Sequence, residues 1–375
     1  MKRIPVLIAG LLCSGAVFCQ EPQPFEATLV TTMEAAWAIE FMPDGRMLVT
    51  EKAGSLYVVT QDGRKSDPIT SGIPKVDVSG QGGLADVILH PDFSNNNIIY
   101  LSFTEPGEND TRGGAVGRGR LQLTGNGGSI EDFRVIWRQD PKLDGAGHFS
   151  QRMHFSPDGY LFVTSGERQA FDPAQDMKVN LGKVIRLNED GTVPKDNPFA
   201  AQGGLTAQIW SSGHRNLTGI DFDAEGNLWE SEMGPSGGDE LNRIEKGANY
   251  GWPIVSNGNH YDAKNIPEHD SRPEFSKPTV WWNPSISPGG VLAYRGDLFP
   301  EWKGNIFVAG LSSRSIVRVG DRFGAPSELE RFNLGARIRD IEQGPDGSIW
   351  LVMDPDNPGK RWSGGILKLT PARKS

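Results

Sequence analysis

Cysteine is nearly absent: the 375 residues contain 2, Cys13 and Cys19, both close to the start of the chain. Histidine is also scarce, with 6 residues. No Cys/His cluster has zinc-site spacing, and no GxGxxG or GxxxxGK(S/T) string sits between a strand and a helix. Nicotinamide and nucleoside triphosphate chemistry therefore find no support. Positive charge is in deficit, 38 Lys and Arg against 47 Asp and Glu, for a net charge of −9. That balance disfavours a nucleic-acid backbone as partner. The apolar run Ile4 to Leu12 is too short to span a bilayer.

That run follows Lys2 and Arg3 and precedes the small and apolar residues Ser14 to Cys19, the order of an export signal. The expectation is a signal peptide over residues 1–19 and a periplasmic or secreted protein. Lipid attachment at Cys13 or Cys19 is the weaker alternative, because the preceding Leu12 and Phe18 are large. After cleavage no cysteine remains, and losing Lys2 and Arg3 moves the net charge to −11. Stability must then come from core size, and a bound metal is a further source.

Glycine and proline are in excess: 47 and 26 residues, about 19% of the chain against about 12% in average proteins. Hydrophobic residues still make up 37%, with 10 Trp and 17 Phe, enough to bury a core and exclude disorder. Gly and Pro interrupt helices but suit tight turns between short strands. Length alone suggests two or three domains, but all-β folds exceed that rule, and no linker or composition break divides residues 20–375.

One pattern recurs. Pro43-Asp44-Gly45, Pro157-Asp158-Gly159, Ala224-Glu225-Gly226 and Pro345-Asp346-Gly347 each lead into a run such as Tyr160-Leu161-Phe162-Val163-Thr164. Degenerate copies start at Pro91-Asp92 and Trp302-Lys303-Gly304. Each reads as strand, tight turn, strand, with Gly accepting the positive φ of the turn. Six copies give about 59 residues each, against about 40–50 for a four-stranded propeller blade. The expectation is an all-β, six-bladed β-propeller as a single domain, with long functional loops on one rim; a pair of β-sandwiches is the alternative. The long inter-strand stretches are expected at about 107–128, 168–199 and 233–288.

These loops carry the reactive residues. His148, in Asp144-Gly145-Ala146-Gly147-His148, is preceded by small residues that let a substrate approach, so it is either a general base or an ordinary loop histidine. Arg215 and Asn216 offer donors to an anion at a strand end. Arg337 and Arg339 alternate in a strand and share a face, which reads as an anion site or as a solvated sheet face. Met233 to Glu240 is glycine-rich and acidic, either a plain turn or a source of oxygen ligands for Ca²⁺.

Gly80-Gln81-Gly82-Gly83-Leu84, Gly147-His148-Phe149, Gly182-Lys183-Val184-Ile185-Arg186-Leu187, Gly213-His214-Arg215-Asn216, Gly234-Pro235-Ser236-Gly237-Gly238-Asp239-Glu240 and Asn249-Tyr250-Gly251-Trp252-Pro253 occur in that order. Together they resemble the soluble quinoprotein glucose/sorbosone dehydrogenases, which include pyrroloquinoline quinone (PQQ)-dependent aldose sugar dehydrogenases. The resemblance runs from about Trp37 to Leu369. It implies a six-bladed propeller that oxidises the C1 hydroxyl of an aldose to a lactone and passes electrons to an external acceptor.

By the same resemblance His148 would be the base, Glu167 the acid that orients it, and Arg215 a stabiliser of charge at the quinone. Gln81, Asn216 and Tyr261 would bind PQQ, and Arg337 and Arg339 would hold its carboxylates. The carbonyls of Gly234 and Pro235 would ligate the Ca²⁺ that binds PQQ, while Glu240 and Tyr250 would belong to a second, structural Ca²⁺. Two positions depart from the family. Gly147 stands where the glucose enzymes have Asp, and Ser312 follows Leu311 where a quinone-binding Lys is common, leaving Arg314 as the nearest cation. The rival readings are a Ca²⁺-dependent propeller lactonase and a non-catalytic sugar- or protein-binding propeller. A monomer or a homodimer fits either.

Overall fold

A computed structural model describes residues 23–355 and 364–373. The expected signal segment, with Cys13 and Cys19, lies outside the described residues.

Six antiparallel sheets follow one another in chain order. The first holds Ala36–Phe41, Met47–Glu51 and Ser55–Val59; the second Leu84–Leu89, Ile98–Pro106, Arg112–Thr124 and Gly127–Arg138. The third holds Ser150–Phe155, Leu161–Ser165, Lys183–Leu187 and Ile209–Ser212; the fourth Leu217–Phe222, Leu228–Glu232, Asp239–Ile244 and Val280–Trp282. The fifth holds Pro288–Ala293, Ile306–Gly310, Ser315–Arg322 and Ala325–Asn333; the sixth Arg337–Gln343, Ile349–Asp354 and Gly365–Pro371. The N-terminal strand Phe25–Thr31 pairs with Gly365–Pro371 and completes the sixth sheet, so the two ends of the chain close the ring. In the first sheet an irregular segment takes the fourth place, paired only at Leu56–Ile69 and Val59–Lys65.

This is the expected six-bladed β-propeller, and every expected turn joins the first and second strands of its blade. Second strands such as Met47–Glu51, Leu161–Ser165 and Ile306–Gly310 are buried at every position, because blades pack on both faces. Their continuous apolar sequences follow from that sandwiching. The outer strand Ala325–Asn333 is mostly solvent-facing and reads polar. Aromatic side chains fill the wedges between blades: fully buried Trp350 of the sixth blade meets Phe41 of the first edge-on at 5.4 Å.

The expected long loops are shorter than the sequence implied. Residues 107–128 are mostly the strand Arg112–Thr124, part of a long hairpin. Its glycines pack closely rather than break the strand: a Cβ at Gly117 would sit 2.3 Å from the Phe133 ring. Stretch 233–288 contains Asp239–Ile244 and Val280–Trp282, and stretch 168–199 contains Lys183–Leu187.

All six innermost strands carry an extra residue relative to their neighbours, at Ala36/Ile39, Leu84/Val87, Ser150/Met153, Leu217/Gly219, Pro288/Val291 and Ile338/Asp340. Such bulges re-aim side chains. They divide the central channel into two ends. Beyond the bulges, at the starts of the inner strands, lies the candidate site. The Asp-Gly turns lie at the opposite end.

Candidate functional site

A cavity of roughly 500 Å³ occupies the channel end formed by the starts of the inner strands. Gln81, Asn216, Arg337 and Arg339 all line it, so four expected site residues converge from the sixth blade and two inter-blade connections. Trp37, Lys52 and Met233 line it too. The two arginines share a face, as strand alternation requires, and both donate to the same Oδ2 of Asp354, at 3.3 and 3.1 Å. Lys52 gives the cavity a third cation; its Nζ donates to the Gly80 carbonyl at 3.1 Å. Burial and the Arg339 charge draw its pKa below the usual lysine value. Lys52 escaped sequence reasoning because it follows the second strand of the first blade, in no motif.

Arg152 lines the cavity at the other end of the channel and braces residues that line this one. Its buried guanidinium contacts Asp340 Oδ1 at 2.8 Å and Asp86 Oδ1 at 3.4 Å, and donates to the carbonyls of Thr218 and Arg339. It also stacks over Trp37 at 4.1 Å. One side chain thereby ties the third blade to the first, second, fourth and sixth.

His148 stands beside the cavity, in the connection whose next residues, Phe149 to Gln151, line it. Its backbone N–H donates to Gln81 Oε1 at 2.7 Å. Its Nδ1 contacts Glu167 Oε1, and Glu167 is in turn held by the backbone N–H groups of Gln169 at 3.0 Å and Phe171 at 2.5 Å. Gly166 permits this contact: a Cβ there would lie 2.1 Å from the His148 carbonyl oxygen. His148 has φ +49°, and Ser150 and Gln151 also lie in the left-handed region, a concentration of strain typical of functional sites. Burial pulls the imidazole below its ordinary pKa; the Glu167 hydrogen bond opposes this, and Arg215 adds to it. The ring is therefore neutral at pH 7, with Nδ1 taken by Glu167 and Nε2 left to accept a proton.

Arg215 is the hub of the adjoining wall. Its Nη1 donates to the carbonyls of Met233 and Gly234, at 2.9 and 2.7 Å, and Nη2 to the Tyr261 hydroxyl at 3.3 Å. Tyr261, 78% exposed, lines a more open recess of roughly 350 Å³ with Arg215, Pro235 and Phe171. Arg314 has φ +53° and donates to the Gly335 carbonyl at 3.2 Å. It is not among the residues lining the 500 Å³ cavity, whereas Leu311 is.

A third feature lies beneath Arg215. A cavity of about 10 Å³, the volume of a single water or ion, is lined by Gly234, Glu232, Glu240 and Tyr250 among others. Glu230, Glu232 and Glu240 are buried, and each places an oxygen 3.2 Å from Asn242 Nδ2. Among the described residues, Glu230 Oε1 and Asn242 Oδ1 find no hydrogen-bond partner. The ligand atoms of His214, Glu230 and Glu232 lie within 4.8 Å of one another. Burial and the Glu232 charge push Glu230 and Glu240 well above the usual carboxylate range. Tyr250 commits its hydroxyl to the main chain, donating to the Arg243 carbonyl at 2.6 Å, and stacks on His214. Glu230 and Glu232 escaped sequence reasoning because they alternate inside a strand, Leu228–Glu232, where acids are not expected to be buried together.

The chain is similar to known proteins over most of its length. The family model described as glucose/sorbosone dehydrogenase matches residues 33–363. The aldose sugar dehydrogenase YliI of Escherichia coli (strain K12) is 36% identical over 378 residues, covering 99% of this chain and all of that protein. The crystal structure of the soluble aldose sugar dehydrogenase from Escherichia coli in the apo form superposes with a TM-score of 0.84 at 36% identity, covering 93% of this chain and 100% of that one. A PQQ-bound aldose sugar dehydrogenase from Streptomyces coelicolor superposes with a TM-score of 0.75 at 26% identity, over 93% of this chain and 99% of that one. With a family match across most of the chain and a relative aligned end to end, the protein belongs to the glucose/sorbosone dehydrogenase family.

Proposed function

We propose that this protein is a PQQ-dependent aldose dehydrogenase that oxidises the C1 hydroxyl of a sugar to a lactone. The single observation that carries the reading is the neutral, Glu167-anchored His148 beside a cavity bearing Lys52, Arg337 and Arg339. Three cations around one cavity match a cofactor with three carboxylates. Planar side chains and Met233 complete a slot suited to a flat ring system. When bound, PQQ supplies a two-electron acceptor polarised by its Ca²⁺.

The chain's own residues do the rest. His148 Nε2 takes the proton of the C1 hydroxyl, and Glu167 fixes the tautomer and steadies the imidazolium that forms. Gln81 fixes the backbone of the base through His148 N–H. Arg215, Asn216 and Tyr261 would bind the cofactor. The Gly234 and Pro235 carbonyls would hold the Ca²⁺ that binds the cofactor; the former already accepts from Arg215. Arg314 would stand in for the family lysine that Ser312 replaces. A second Ca²⁺ would be held by the buried acids, Glu240 with Glu230 and Glu232 around it, in the small cavity that Tyr250 also lines. The partnerless Glu230 Oε1 and Asn242 Oδ1 support this reading, since a cation relieves both and the crowding of three carboxylates.

The signal read in residues 1–19 puts the activity in the periplasm or outside the cell, with an external electron acceptor. No helix among the described residues is long and apolar enough to cross a membrane. The test is to add PQQ and Ca²⁺ to the apoprotein and follow sugar-dependent reduction of an artificial dye. Reduction with aldoses is expected; folded protein that reduces no dye with any aldose overturns the reading. Chelation by excess EDTA should lower the melting temperature through loss of the second ion. An unchanged melt removes that ion from the account.

A further inference from the structure

The residue just before the base has no side chain, and another residue fills its place. A Cβ built on Gly147 would lie 2.5 Å from Gln169 Oε1 and 2.7 Å from Gln169 Cδ, so the Gln169 carboxamide rests on the Gly147 Cα. Its position relative to His148 is fixed twice over. The Gln169 backbone N–H donates to Glu167 Oε1, the oxygen that also holds His148 Nδ1. Arg168, with a buried guanidinium, donates to the Gly147 carbonyl at 2.9 Å and to the Arg112 carbonyl at 2.6 Å, locking the two loops together. Arg168 and Gln169 are both left-handed, at φ +64° and +61°. This strained turn buries Arg168 and presents Gln169 to solvent. Among the described residues, no side-chain hydrogen bond engages the Gln169 carboxamide.

We propose that Gln169 is a sugar-specificity residue, its carboxamide binding a ring hydroxyl next to C1, the carbon whose hydroxyl His148 deprotonates. The proposal rests on the aldose-oxidising reading above. A carboxamide can meet a hydroxyl as donor or as acceptor; a carboxylate only accepts. It is neutral, so it places a polar contact beside the base without shifting the charge around it. A hydroxyl pointing away, or missing, forfeits the contact, and epimers are thereby told apart.

The test uses holoenzyme loaded with PQQ and Ca²⁺ and compares kcat/KM for glucose, mannose, galactose, xylose and 2-deoxyglucose. Gln169→Ala should lower kcat/KM by about three- to tenfold for the sugars that make the contact, mainly through KM, and leave the others unchanged. The pH profile and the PQQ titration should not move, because the backbone hydrogen bond to Glu167 survives. Gly147→Ala is the independent variant. Its methyl group pushes aside only the flexible end of Gln169, and it should alter the ranking of the same sugars. If wild-type enzyme is active but both variants change all sugars by one factor, or change none, Gln169 has no such role. If wild-type enzyme oxidises no aldose at all, the functional reading falls, and this proposal with it.

Discussion

The two ends of the central channel are built from the same six strands yet carry opposite charge. The end lined by the starts of the inner strands presents Lys52, Arg337 and Arg339 against the single carboxylate of Asp354. The other end, a cavity of roughly 190 Å³, presents Glu40, Asp86, Asp340 and Glu342. The strand Arg337–Gln343 shows how: Arg337 and Arg339 face one cavity, Asp340 and Glu342 the other, and the bulge at Ile338/Asp340 switches the facing phase from odd to even positions. Arg152 separates the two, satisfying Asp86 and Asp340 from above. Among the described residues, Glu40 and Glu342 have no such cationic partner. Burial, with Asp86 and Asp340 nearby, pushes Glu40 up to about 8. Burial also pushes Asp86 up to about 6 against the pull of Arg152. One end is thus preset for an anion, while the other relieves its charge by holding protons.

The largest expected effect comes from removing the divider. Arg152→Met leaves Asp86 and Asp340 buried without their cation, and chemical denaturation should show a loss of about 3–5 kcal/mol. A loss under 1 kcal/mol would mean that the two ends are electrically independent. His148→Ala should lower turnover by more than about a hundredfold with PQQ binding intact; near wild-type turnover with PQQ and Ca²⁺ present would sink the base assignment. Because burial lowers the His148 pKa, kcat/KM should hold its plateau to lower pH than an ordinary histidine allows, falling only once the imidazole protonates. Removing Arg337 or Arg339 singly should weaken PQQ binding by calorimetry about tenfold or more, since charged hydrogen bonds are worth about 1.5–3 kcal/mol. Glu40→Gln should leave that affinity unchanged.

The smallest effect concerns the acidic end. With Glu40 raised to about 8 in the folded protein and near 4.5 when unfolded, the folded state keeps a proton that the unfolded chain has lost between those pH values. Stability therefore falls as pH rises across that window. Glu40→Gln should flatten the fall, by on the order of 2 °C in melting temperature near pH 8. A melting curve with the same pH slope in both proteins would show that Glu40 titrates normally.

Much of this was legible beforehand because it is local. A turn such as Pro157-Asp158-Gly159 needs only its own residues to reverse the chain, so counting turns counted blades. His148, Glu167, Gln81, Arg337 and Arg339 were legible through short motifs, and the structure places His148 Nδ1 on Glu167 and both arginines on one wall. Glycines misled where they served packing, as Gly117 does under Phe133, and a strand was read as loop. Lys52, Arg152, Glu230, Glu232 and Gln169 were not legible, because each matters only through a partner distant in sequence: Arg152 and Asp340 lie on different blades, and Glu230 meets Glu240 across adjacent strands.

By itself, then, the sequence determined the repeat, the all-β class, the deficit of positive charge and the residues of the motifs, since these follow from composition and nearest neighbours. The tertiary structure decided where the charges go. Closing the ring with Phe25–Thr31 brings six inner strands to one axis, and the six bulges set which of their side chains face each end. Pairing register is a property of two strands together, so no single strand's sequence contains it.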